Sequence, residues 1–257
     1  MSEAFPAGTF DRPSSPASRS AMWVAQTRME FSLFIRNGEQ LLLALFIPVA
    51  LLVGLTELGG STIQQPRIDA AVPAVFAVAI MSAAFTGQAI AVGFDRRYGA
   101  LKRLGATPLP QAIIVGGKIT AVLLVVAGQL VVLGIVALLL GWRPELLHVL
   151  AALVPVVFGV LAFGSLGLLL GGTLKAEVTL ALANLVWFVL LAFVGAAIGA
   201  VELSSGVHDA MLLIPSFALT EGISRALAGE FPGVELLVLG AWSIAGGLAA
   251  SRYFRFT

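Results

Sequence analysis

The residues with the means to do chemistry are few, and most of them stand in one stretch. Asp95, Arg96, Arg97, Lys102 and Arg103 fall within nine positions, between long apolar segments. Elsewhere titratable groups are thin. The chain has no cysteine, which removes disulfides, thiolate metal sites and cysteine nucleophiles. Its two histidines, His148 and His208, are too sparse for a histidine metal cluster. Gly117-Lys118 ends like a phosphate loop, but Ile119 stands where Ser or Thr is needed and Ala112 where a glycine is required. Gly164-Ser165-Leu166-Gly167 is not a nucleophile elbow, and no aspartate-rich cluster suits a divalent metal. The chain carries the means to bind and move something and lacks a nucleotide or hydrolytic site of its own.

The elements that position this run follow from composition. Of 257 residues, 59% are hydrophobic and 11% charged, and mean hydropathy is +1.00. So much apolar surface predicts an all-α polytopic membrane protein. Six spans near the ~20 residues that cross hydrocarbon are expected, at 40–58, 71–93, 111–140, 147–171, 178–200 and 234–251. Pro48, Pro73 and Pro155 lie within them, where neighbouring helices can satisfy the backbone groups that proline frees. Gly167-x-x-x-Gly171 and Gly195-x-x-x-Gly199 permit close helix approach.

Residues 1–20, with Pro6, Pro13 and Pro16 and no apolar run, read as a disordered tail and not a signal peptide. The remainder, 21–257, reads as one transmembrane domain. From Ala21 to Asn37, Trp23, Phe31 and Phe34 interleave with Arg28, Glu30 and Arg36, the pattern of an amphipathic helix at headgroup depth. Residues 201–233 are too broken to span. Leu212, Leu213, Ile214, Phe217, Leu219, Ile223 and Leu227 suggest a re-entrant segment of one or two helices dipping into the outer leaflet.

Twelve of the 15 Lys and Arg residues fall on one side if the N-terminus is cytoplasmic, against Arg67, Arg143 and Arg225 on the other. The positive-inside rule therefore places both termini and residues 94–110 in the cytoplasm. There, Tyr98, Leu101 and Leu104 share one side of a short amphipathic helix at i, i+3 and i+6, and Gly105 and Thr107-Pro108 stop it. The span interiors are almost free of charge. Glu57 reads as interfacial, and Lys118 as a side chain that snorkels to the headgroups. An ion-coupled secondary transporter, the competing class, would need a buried carboxylate or polar relay that the pattern lacks.

The run Asp95-Arg96-Arg97-Tyr98-Gly99-Ala100-Leu101-Lys102-Arg103-Leu104-Gly105-Ala106-Thr107-Pro108 resembles the signature that follows span two in permease subunits of type-2 (ABC-2 class) ABC exporters. The Gly-x-Leu-x-Arg-Leu core and the Thr-Pro stop match. Asp95 replaces the usual glutamate, Arg97 the second acid and Ala100 a threonine. Arg36-Asn37 followed by Pro48 is similar to the family's entry to span one, and the drug-efflux, daunorubicin-type group is nearest in pattern.

This resemblance implies a non-enzymatic permease of the bacterial plasma membrane. It implies a coupling helix built from Asp95, Arg96, Arg97, Tyr98, Gly99, Leu101, Lys102, Arg103, Leu104, Thr107 and Pro108, which docks on a separate ATPase. The interfacial helix with Trp23, Arg28, Phe31 and Arg36 would assist. Two ATPase copies would hold the ATP and Mg, a second permease copy or a related permease would complete a dimer, and no nucleic acid is involved. The cargo is expected to be hydrophobic or amphiphilic (a drug, an antibiotic or a lipid-like molecule), with lipid-linked polysaccharide left open. Phe85, Asn184, Trp187 and Phe188 are candidates for its path.

Overall fold

A computed structural model describes residues 17–57, 68–198 and 204–253. Every regular element among them is helical. Helix α1 (Arg19–Arg36) is followed by α2 (Gly38–Glu57), α3 (Ile68–Ile80), a π-helical segment (Met81–Gly87) and α4 (Gln88–Arg97). Then come α5 (Ala100–Gly105), α6 (Gln111–Leu139), α7 (Leu146–Thr173), α8 (Ala176–Ala197), α9 (Ser205–Met211), α10 (Pro215–Leu227) and α11 (Gly233–Tyr253). Among the described residues five helices are long and apolar enough to cross a membrane, Ile68–Arg97 taken as one, then α6, α7, α8 and α11, and the bent pair α9 and α10 would make a sixth if it formed one span. Helix α2 has 20 residues, with a shorter apolar stretch over Ala44–Glu57.

The expected tail reaches into described structure only at its end. Residues 1–16 lie outside the described residues, while Arg19 and Ser20 already belong to α1. Ser18 starts that helix, its Oγ accepting the Ala21 N–H at 3.2 Å.

The centre of the bundle is Ile68–Arg97. Ala71 to Met81 are buried without interruption, as a helix of alanine and valine enclosed by neighbours on all sides must be. Phe85 meets Phe163 of α7 edge-on at 6.5 Å between ring centroids, and Phe76 meets the buried Trp142 in the same way at 6.3 Å. Gly167 and Gly171 of α7 make this packing close. A Cβ on Gly167 would lie 2.7 Å from the Phe85 carbonyl oxygen, and one on Gly171 would overlap the Ala89 carbonyl. The second glycine pair behaves differently. Gly195 has open space beside it, and Gly199 lies outside the described residues.

Pro48 shows how a proline is tolerated within a span. Lacking an N–H, it leaves the Ala44 carbonyl without its intrahelical donor. The Gln129 Nε2, from the middle of α6, donates to that oxygen at 2.9 Å. Gln129 is itself buried, so a buried amide serves a carbonyl on a half-buried residue.

The region beyond α8 forms two short helices, as expected. Helices α9 and α10 are bent by 105° at Leu212–Ile214. Phe217, Ala218, Leu219, Ile223 and Ala226 of α10 are fully buried. Helix α10 is packed among α3, α7, α8 and α11 and does not lie on the bundle's surface. Its start is tied to α8 by Ser216 Oγ, which donates to the Leu190 carbonyl at 3.0 Å, and the bend is held by Trp242 Nε1 donating to the Leu213 carbonyl at 2.9 Å. Charge is also buried here. Glu235, in the first turn of α11, is enclosed and accepts from Arg225 Nη1 at 3.1 Å. The expectation of nearly charge-free interiors therefore fails at two places, Glu235 and Lys118. In both, the burial cost is offset by an oppositely charged partner.

Candidate functional site

The charged run is not one amphipathic helix. Its first part continues the central span, since α4 extends as far as Arg97, beyond the expected end of span two at 93. Tyr98 ends that helix. Gly99 then takes a left-handed conformation, φ +70°, which a side chain would strain, and α5 starts in a new direction at Ala100. The i, i+3, i+6 spacing of Tyr98, Leu101 and Leu104 is thereby interrupted after its first member, and the three do not share a face. Tyr98 is exposed and stacks on Phe94 at 5.9 Å.

Leu101 points the other way. It is fully buried among Val92, Ile114, Leu168 and Ala250, and Leu104 packs partly buried against the same group. These five side chains come from α4, α5, α6, α7 and α11, so Leu101 anchors α5 to the bundle. Lys102, Arg103, Thr107 and Pro108 remain exposed. Thr107 Oγ1 closes the turn by donating to the Leu104 carbonyl at 2.6 Å, and Arg103 Nη1 reaches the Tyr98 carbonyl at 3.5 Å.

Asp95, Arg96 and Arg97 each bind a different part of the bundle. Arg96 Nη1 donates to the carbonyls of Gly171 at 3.1 Å and Leu174 at 3.0 Å, placing a cation on the carbonyl-rich end of α7. Arg97 forms an ion pair with Glu177 in the first turn of α8. Asp95 Oδ2 accepts from Lys118 Nζ at 2.8 Å. Lys118 does not snorkel: its side chain is 3% exposed, and its ammonium also contacts Glu30 of α1 at 2.8 Å to Oε1 and 2.9 Å to Oε2. Gln26 Nε2 donates to the same Glu30 Oε1 at 2.8 Å. Sequence reasoning missed this junction of α1, α4 and α6. The partners of Lys118 stand 23 and 88 residues away.

Helix α1 lies against the same end of α6. The Trp23 ring occupies the space that a side chain on Gly116 would need, and its Nε1 donates to Thr120 Oγ1 at 3.1 Å. Phe31 packs partly buried on the main core, whereas Arg28 and Arg36 are exposed. An open groove of about 790 Å³ runs along the outer side of α1, lined by Val24, Arg28 and Met29 among others.

The four cargo candidates differ in exposure, and Trp187 and Phe188 meet edge-on at 5.1 Å between ring centroids. Phe85 is buried in the core. Trp187 is half-buried and donates from Nε1 to Ser82 Oγ of the π-helical segment at 3.1 Å. Asn184 and Phe188 are exposed on α8, where Asn184 Nδ2 donates to the Leu180 carbonyl of its own helix at 2.8 Å.

The arrangement is thus a multi-helix membrane domain with a short basic helix anchored at one end. A family model described as ABC-2 family transporter protein matches residues 41–251. The chain belongs to the ABC-2 transporter family. No curated protein matches it. The family match spans α4, α5 and all the long apolar helices, and it establishes a multi-pass membrane transport component. Helix α1 lies outside the matched residues, yet it shares Lys118 with the matched part.

Proposed function

We propose that this chain is the permease subunit of an ATP-driven exporter, energised through α5 by a separate ATPase subunit. One observation carries the reading. Leu101 plugs α5 into a core shared by five helices, while Lys102, Arg103, Thr107, Pro108 and Tyr98 stay exposed around it. A basic helix fixed rigidly on one side and open on the other is suited to receive a push and hand it to the bundle. ATP and Mg would be held by the partner, present in two copies beneath two permeases, identical or related. Both termini and α5 would then face the cytoplasm across a bacterial plasma membrane, in keeping with the distribution of Lys and Arg.

The cargo would be hydrophobic or amphiphilic, such as a drug, an antibiotic or a lipid-like molecule. Asn184 and Phe188 support this part of the reading, since they present an amide and an aromatic ring on the exposed side of α8. Export of drugs, and the antibiotic resistance it would confer, follows from this reading together with the resemblance of the charged run.

The test is co-purification in mild detergent. The tagged chain should bring down an ATPase subunit with nucleotide-hydrolysing activity. The Lys102→Glu/Arg103→Glu variant should reach the membrane in equal amount and bring down none. An undiminished ATPase yield from that variant would refute docking at α5.

A further inference from the structure

We propose that Lys118 is a positioning residue that locks α1, α4 and α6 into one moving body, so that a displacement of α5 is delivered to α1 and, through it, to α2. This rests on α5 being the helix an ATPase moves.

The chain of contact is continuous. Helix α5 follows α4 directly through Tyr98 and Gly99, with Leu101 packed on Val92, and Asp95 stands four residues before Gly99. Asp95 holds Lys118 at 2.8 Å, and Lys118 holds both oxygens of Glu30. Slack in Glu30 is removed by Gln26, one turn earlier on α1, which fixes Oε1 at 2.8 Å. Helix α1 then passes through Asn37 into α2.

Burial decides which contact carries the motion. The Lys118 side chain is 3% exposed and that of Glu30 is 14% exposed. The Asp95 side chain is 33% exposed. An ammonium so enclosed cannot part from both carboxylates without becoming an uncompensated buried charge, a strongly unfavourable state. The neighbouring Arg97–Glu177 pair, at 49% and 63% exposure, can part at little cost because water replaces either partner. A shift of α4 is therefore passed to α6 and α1 through Lys118, while the Arg97–Glu177 pair adds little to the packing that joins α4 to α8. Two carboxylates converge on one ammonium from separate segments, an arrangement that fixes three helices and that a single ion pair could not provide.

Pulsed electron paramagnetic resonance tests this directly, because the chain has no native cysteine to remove. Spin labels go on the exposed positions Ser32→Cys of α1, Ala106→Cys beyond α5 and Leu237→Cys of α11, in pairs. The labelled chain is diluted with unlabelled chain in the complex with its co-purified ATPase. Distances are compared without nucleotide and with ATP, Mg and vanadate.

In the otherwise native chain the 106–237 distance should change between states, while the 32–106 distance should not. In Lys118→Met the 32–106 distance should change by more than the width of the native distribution, and Lys118→Arg should restore the native result. Asp95→Asn provides a second route to the same readout, with Lys118 still compensated by Glu30 should Lys118→Met fail to fold. A 32–106 distance that stays fixed in Lys118→Met, or in Asp95→Asn where Lys118→Met does not fold, overturns the proposal. A 106–237 distance that never changes in the native complex overturns the docking reading, and the proposal with it.

Discussion

The bond between Gln129 and the Ala44 carbonyl makes the sharpest prediction about the fold. Pro48 withholds the N–H that Ala44 would receive in an uninterrupted helix, and Gln129 supplies one from α6 at 2.9 Å. Replacing Gln129 with leucine keeps the volume approximately and strands a half-buried carbonyl, which costs at most about 1–3 kcal/mol. Two effects reduce this. The Gln129 Oε1 is buried without a hydrogen-bond partner, so its removal relieves a desolvated oxygen. Side-chain hydrogen bonds between membrane helices also average only ~0.6 kcal/mol, because alternative partners are found. The net loss for Gln129→Leu should be about 0.5–1.5 kcal/mol. The decisive comparison is the same substitution in a Pro48→Ala background. There residue 48 regains its N–H, Ala44 is satisfied within α2, and Gln129→Leu should cost close to nothing. Equilibrium unfolding of the detergent-solubilised chain, followed by tryptophan fluorescence, gives the four stabilities of this double-mutant cycle. Equal costs in the two backgrounds would refute the assignment of Gln129 to the proline-freed carbonyl.

Two further outcomes separate anchoring from docking and test the buried charge at the other end of the bundle. Leu101→Ala should lower stability by roughly 2–5 kcal/mol, because it empties a fully buried site shared by five helices; unfolding in detergent measures this, and an unchanged midpoint would place Leu101 on the docking surface after all. Arg225→Leu should destabilise by roughly 1–3 kcal/mol, since it leaves Glu235 buried and uncompensated while the half-exposed arginine itself loses little. Combining it with Glu235→Leu should recover most of that loss, and a double variant no more stable than Arg225→Leu would show that the pair is not what holds α10 to α11.

The fold class was legible because hydrocarbon imposes a strong rule. Apolar segments long enough to cross it must be helical, and few other patterns in a sequence are so constrained. The contacts that organise the charged end were not legible, for a specific reason in each case. The face drawn through Tyr98, Leu101 and Leu104 assumed unbroken helix, yet Gly99 sits between the first and second of them. A glycine after a run of helical residues is itself the signal for a left-handed cap. Lys118 looked like an isolated cation near a span end, and snorkelling is the ordinary fate of such a residue. Its pairing with Glu30 required knowing that α1 lies along α6. A hint existed in Gly116-Gly117, two adjacent residues without side chains where Trp23 and Gln26 come to rest. Gln129 could have been found by matching a lone amide in one span to a proline in another, although the sequence does not say which proline. Arg225 and Glu235 are ten residues apart across a turn, beyond the reach of any helical periodicity.

Gly99 divides the charged run into two parts with different work. Before it, Asp95, Arg96 and the half-exposed Arg97 bind three separate partners in the bundle; after it, Lys102 and Arg103 are turned out. Two of the three departures in this run, Asp95 and Arg97, fall before Gly99 and have structural answers, and the third, Ala100, falls after it. Asp95 is one methylene shorter than the glutamate it replaces, yet it reaches Lys118 at 2.8 Å because α4 runs on without a break to Arg97. Arg97 stands where a second acid is usual, and the acid is supplied instead by Glu177 from α8. Reversing the sign at 97 has therefore not removed a charge pair from this end of the molecule. The outward part keeps the Gly-x-Leu-x-Arg-Leu order, with Leu101 as the anchor that holds the exposed cations in place. Charges that face other helices can be exchanged whenever a neighbour changes with them.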